Sequence, residues 1–113
     1  AVLNAAHPRL VDMAELSDGE VLLYADDGGL EAIRQHRERG GRAVFLRGGA
    51  AVLAHGPAET PGANIDALLR RFGAQAVDAS TLLAAVAAAW ALGISPELIA
   101  AGLDTFVPDL HLA

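Results

Sequence analysis

A chain of 113 residues has room for one small domain with a modest core, and its net charge of −6 with a pI near 5.0 argues against a broad nucleic-acid footprint. It has no cysteine and no lysine, which excludes disulfides, cysteine-ligated zinc, a P-loop lysine, a Schiff-base lysine and a lysine general base. Hydrophobic residues make up 53%, but much of that is alanine, and only three Phe, one Tyr and one Trp are available to anchor a core.

Ala1-Val2-Leu3 reads as the end of a buried strand cut by the start of the chain, so the chain is expected to be a fragment of something longer. Asn4-Ala5-Ala6-His7 is a loop, and Pro8 suits the first turn of a helix whose apolar face is Leu10, Val11, Met13, Ala14 and Leu16. Ser17-Asp18-Gly19 ends that helix. Residues 20–25 form the second strand, with the continuous apolar run Val21-Leu22-Leu23-Tyr24 expected of a strand covered on both faces. Asp26-Asp27-Gly28-Gly29 is a turn. Leu30, Ala32 and Ile33 then lay a helix on the sheet until Gly40-Gly41 stops it.

Residues 42–47 and 50–55 flank Gly48-Gly49 and read as a β-hairpin. Residues 56–62, with Pro57 and Pro61, are a loop. Asn64 caps one or two helical turns through Leu69, and residues 74–77 form an edge strand. The alanine-rich run at residues 82–92 is a helix capped by Asp78 or Ser80 and closed by Gly93. Ser95-Pro96-Glu97 restarts a second helix with Leu98, Ile99 and Leu103 on its apolar face. This helical pair covers the sheet. The fold class is α/β: a three-layer sheet packed by helices, with a parallel βαβ first half plus an antiparallel hairpin.

No stretch has the make-up of a signal peptide, and the run at 82–92 is shorter than the ~20 residues that span a bilayer. The chain reads as soluble and cytoplasmic, with neither a membrane nor a nucleic acid as partner. Arg34, Arg37, Arg39, Arg42 and Arg47 read as a solvated helix face and strand end. His7, His36, His55 and His111 share no metal-ligand spacing, and Asp26-Asp27 is first a turn, so no metal site and no catalytic residue is assigned. Ser80 lacks the glycine elbow of a hydrolase nucleophile.

Several stretches together resemble the ATP-dependent Mur ligases, and within them the cyanophycin synthetases. Val2-Leu3-Asn4-Ala5-Ala6-His7-Pro8 is similar to the family's strand ending in Asn-Ala-Asp-Asp-Pro. Residues 13–21 (MAELSDGEV), 41–45 (GRAVF) with the hairpin, 83–94 (LAAVAAAWALGI) and 96–99 (PELI) follow in the family's order. The resemblance implies that residues 1–106 are the second half of the family's central, ATP-binding domain and residues 107–113 a linker or artificial tail. It implies a ligase that uses ATP and magnesium to activate a carboxylate as an acyl phosphate and couples it to an amine, forming an amide bond. The phosphate-binding loop, the metal ligands and the third domain lie outside this region, so the fragment is not competent alone, and no cofactor is expected in it. Its partners would be the remaining domains of the parent ligase. By the resemblance Asn4, Asp78 and Thr81 fall on the nucleotide side; read from the residues alone they are a strand end and a helix cap. The family's adenine-contacting asparagines, three apart, stand here as Asp78 and Thr81, and its paired aspartates as Ala6 and His7. A non-catalytic α/β domain for assembly or substrate binding, or an unrelated small α/β binding module, is the alternative. An uncovered sheet edge beside Ala1-Val2-Leu3 makes a homo-oligomer the expected state.

Overall fold

The computed structural model describes residues 1–7, 9, 20–73 and 77–105. Apart from Arg9, which is helical, the helix expected from Pro8 to its stop at Ser17-Asp18-Gly19 lies outside the described residues, as do the strand at 74–76 and the tail at 107–113; Val77 itself is not in a strand. Among the described residues five strands form one mixed sheet in sequence order: β1 (Val2–Asn4), β2 (Leu22–Asp27), β3 (Arg42–Arg47), β4 (Ala50–His55) and β5 (Ala58–Asn64). β1, β2 and β3 are parallel, and β3, β4 and β5 antiparallel. Among the described residues the helices include α1 (Glu31–Glu38), α2 (Ile65–Phe72), α3 (Ala79–Ala91) and α4 (Pro96–Thr105). This is the α/β sheet the sequence predicts, parallel first and antiparallel after.

Alternation along the strands divides the core in two. Leu22, Val44, Ala51 and Leu53 point to one face, where they meet Ile65 and Leu68 of α2, Leu82, Leu83, Val86 and Ala87 of α3, and Ile99 of α4. Leu23, Ala25, Ala43, Phe45, Val52 and Ala54 point to the other, where Ile33 of α1 covers them. Among the described residues no polar or charged side chain is buried. Burial, not propensity, therefore holds the sheet, at roughly 25 cal/mol per Å² of apolar surface.

The hairpin has the predicted bounds. Gly48 and Gly49 adopt φ of +59° and +81°, the two positive values a type I′ turn requires. A side chain at Gly49 would also run into the Asp66 carboxylate. The α3–α4 connection is a Schellman motif: Ile94 N–H donates to Ala89 O (3.1 Å) and Gly93 N–H to Trp90 O (3.0 Å), with Gly93 at φ +90°. Ser95 Oγ accepts from Leu98 N–H at 3.3 Å, the expected cap of α4.

Four expectations need correction. Residues 58–64 of the expected loop and its flank are strand β5; Pro61 is tolerated because β5 is an edge strand, where a missing N–H disrupts pairing on one side only. β2 starts at Leu22, not Glu20, and runs on to Asp27, two residues into the expected turn, because its pairing with β3 continues through a bulge that skips Asp26. Leu98 is 66% exposed, so the buried face of α4 is Ile99 flanked by Ala100 and Leu103. Finally, Arg34, Arg39 and Arg47 are exposed as expected, but Arg37 and Arg42 are not solvated. Arg42 is only 15% exposed; it lies 4.8 Å from the Trp90 ring centre, donates to Trp90 O and pairs with Glu20. Arg37 donates to Gly56 O at 2.9 Å, pairs with Glu59 at 3.1 Å and packs 5.5 Å from the Phe45 ring centre. Arg47 grips Glu59 with both terminal nitrogens, at 2.6 and 2.9 Å.

Two measurements test this packing. Leu83→Ala removes a fully buried side chain from the centre of the larger core, and urea unfolding should show a loss of about 2–5 kcal/mol. The Arg47 hydrogen bonds hold the Glu59 carboxyl at about 2, against an ordinary value of 4.5. A carboxyl lowered in the folded state stabilises above its unfolded value, and that contribution disappears as pH falls through the folded value. The urea midpoint should therefore fall between pH 4.5 and pH 2, and Glu59→Gln should flatten that fall; equal slopes in both proteins would show that the pairing adds nothing.

Candidate functional site

In a parallel sheet, the polar groups that can meet a ligand gather past the carboxyl ends of the strands. Here β1 ends at Asn4 and β2 at Asp27, and a cleft of about 190 Å³ opens between them. Its described wall is Asn4, Ala6, Ala25, Asp26, Asp27, Leu30 and Ser80. Leu30 immediately precedes α1 and Ser80 sits in the first turn of α3, so helices from opposite faces of the sheet both start at this cleft.

The wall is locally ordered. Asn4 Oδ1 accepts from Ala6 N–H at 2.9 Å, which turns the chain out of β1 and leaves the amide Nδ2 as the group Asn4 offers a ligand. Asp27 Oδ1 accepts from Gly29 N–H at 2.7 Å, which makes the turn after β2 and leaves the second oxygen as an acceptor. Asp26, skipped by the bulge, is exposed beside it. The Ser80 hydroxyl completes a set of one amide, one hydroxyl and two carboxylates. Two full negative charges outweigh two helix N-termini worth about +0.5 each. The cleft therefore favours hydroxyl or amino groups over phosphates. Among the described residues no three histidine or acidic side chains gather in a way that could hold a metal ion.

Of the three residues the resemblance places on the nucleotide side, the structure brings only Asn4 to the cleft wall. Asp78 and Thr81 are engaged with each other: Asp78 is the N-cap of α3 and accepts from Thr81 N–H at 2.8 Å. That backbone N–H, and then the Thr81 hydroxyl, hold the Asp78 carboxyl below its ordinary value. The turn of helix puts Ser80, between them, against the cleft. Ser80, Asp26 and Asp27 are wall residues that sequence reasoning considers and sets aside, as a helix cap and as a turn. The available signal is that an Asp-Asp pair directly follows an apolar strand in the parallel half of the sheet.

The cap can be tested apart from any ligand. Asp78→Ala should lower the thermal midpoint, followed by circular dichroism, whereas Asp78→Asn, which keeps a capping oxygen, should retain most of it. Because the Asp78 carboxyl is lowered on folding, its stabilisation is complete above the ordinary carboxylate range and lost below it; Asp78→Asn should remove this acid sensitivity.

No family model matches the chain, and no curated protein matches it significantly.

Proposed function

We propose that the chain is part of an ATP-dependent carboxylate–amine ligase resembling the cyanophycin synthetases, where it forms the nucleoside side of the ATP site and does not act alone. The observation that carries this reading is the cleft at the carboxyl ends of two parallel strands with Asn4 on its wall. The collinear run of family-like stretches, from Asn4 to the helical pair, supports it. Small-molecule sites typically have about 300–1,000 Å³. At about 190 Å³ the cleft accommodates only part of a nucleotide. Its amide, hydroxyl and carboxylates suit sugar hydroxyls and an exocyclic amine. ATP, when bound, would supply the phosphoryl group that activates the carboxylate. The phosphates and their magnesium would be held by segments of the parent protein outside this chain, since the cleft is acidic and the chain has no lysine.

A second reading, a non-catalytic α/β domain serving assembly, is favoured by a separate observation. The large hydrophobic side chains exposed among the described residues, Leu92, Ile94 and Leu98, all lie at the α3–α4 turn and the start of α4.

The parent protein separates the two readings. A Gly-Lys-Thr or Gly-Lys-Ser loop upstream of Ala1, with release of ADP that depends on both a carboxylate and an amine substrate, supports the ligase; lack of such a loop sinks it. In that enzyme Asn4→Asp keeps the turn at Ala6 but loses the amide donor. It should raise the KM for ATP about tenfold, or ~1.4 kcal/mol, while kcat changes by less than about twofold. The isolated chain should give no calorimetric signal with millimolar magnesium-ATP; clear binding would show that it forms a complete site.

A further inference from the structure

We propose that the Asp27 carboxylate reads the ribose: its free oxygen accepts a sugar hydroxyl and makes the site prefer a ribonucleotide to its deoxy analogues. This rests on the nucleotide reading above and adds which part of the nucleotide each wall takes. The cleft is polarised. Ala25, 3% exposed, is its floor and Leu30 is half-buried beside it, whereas Asp26 and Asp27 stand exposed at the rim. A nucleoside is divided in the same way, into the apolar faces of a flat ring and a sugar that carries hydroxyls. Apolar surface gains by leaving water, so the ring belongs over Ala25 and Leu30 and the sugar at the carboxylates.

Of the two acids, Asp27 is the one held in place. Its Oδ1 accepts from Gly29 N–H at 2.7 Å. Gly28, between them, lies so close to the Phe45 ring that a Cβ would collide with it. Phe45 is 1% exposed, and the Arg37 and Arg47 guanidinium groups each lie 5.5 Å from its ring centre, both paired with Glu59. The turn is therefore seated on the core before a ligand arrives, and little ordering cost is left to binding. Among the described residues no donor takes the second Asp27 oxygen. An ionised carboxylate only accepts, so a hydroxyl is its complement. The placement agrees: Asp27 ends the strand beside β1, and in parallel sheets that bind dinucleotides an acid a short way beyond the first strand accepts the ribose 2′-hydroxyl.

The test is steady-state kinetics of the parent enzyme with ATP, 2′-deoxy-ATP, 3′-deoxy-ATP and inosine triphosphate, in the natural protein and in Asp27→Asn. Asparagine keeps the oxygen that accepts from Gly29 and the position is exposed, so the variant should fold. A hydrogen bond to a charged group sets the expected gap: kcat/KM of the natural enzyme should be at least about tenfold lower for one of the two deoxy analogues, which identifies the hydroxyl. Asp27→Asn should narrow that gap to less than about threefold, lowering kcat/KM for ATP but not for that analogue, because both changes remove the same bond. A residue that only supported the fold would lower both equally. Three results overturn the inference and leave the ligase reading standing: equal use of ATP and both deoxy analogues by the natural enzyme, an equal fall on ATP and analogue in the variant, or a gap narrowed only against inosine triphosphate, which lacks the amino group of the base. An absence of ADP release that depends on a carboxylate and an amine removes the ligase reading, and this inference with it.

Discussion

The structure depends on the close approach of α3 to the parallel half of the sheet. Leu83, Val86 and Ala87 are almost fully buried against a face built from Leu22, Val44 and their neighbours. Alanine makes the approach possible: it fills little space, loses no side-chain entropy and has the highest helix propensity, so the helix forms readily and lies close to the strands. With few aromatic residues, the core relies on this closeness. The same contact brings the N-terminus of α3 to the ends of β1 and β2, so the cleft is a by-product of how the helix packs. Displacing α3 along its axis would take Ser80 out of the wall and loosen the core together.

Around that contact the arginines act as clasps. Arg42 spans from the start of β3 to the C-terminal part of α3, resting on Trp90 and donating to its carbonyl, while Glu20 pairs with it. Arg71 of α2 donates to Asp104 O at 2.7 Å and Leu103 O at 3.0 Å, placing a cation at the C-terminal end of α4. Each clasp joins elements far apart in sequence, and each needs the planar, multi-donor guanidinium; a lysine could satisfy only one geometry at a time. The arginine-only composition thus has a structural use here.

What is legible in the sequence is what local chemistry decides. Gly48-Gly49 between two apolar runs specifies the hairpin, Asn64 and Ser95 cap their helices, and Gly93 closes α3. What is not legible depends on partners. Strand β5 carries Pro57 just before it and Pro61 and Gly62 within it, all marks of a loop, and it is a strand only because β4 offers a free edge. Leu98 looks like a core residue by spacing, yet its side of α4 faces outward. Arg42 looks like a solvated strand end until Trp90, forty-eight residues away, is placed over it. The cleft follows the same rule. Asn4 is visible as a strand end, but nothing local reveals that Ser80, rather than Asp78 or Thr81, turns toward it.

The electrostatics of the cleft then narrow what such a site can do. Phosphate-binding sites at helix N-termini use backbone N–H groups with no competing anion. Here two helices begin at the cleft, but Asp78 already takes the N–H of Thr81 at the start of α3, and Asp26 and Asp27 place two carboxylates on the wall. The start of α3 is thus engaged by the protein's own carboxylate, and α1, whose N-cap Leu30 has no side-chain cap bond, begins at a wall that carries two acids. A ligand in this cleft must therefore bring donors to the acids and an acceptor to the Asn4 amide, which describes a sugar edge or an amino-bearing ring better than a phosphate.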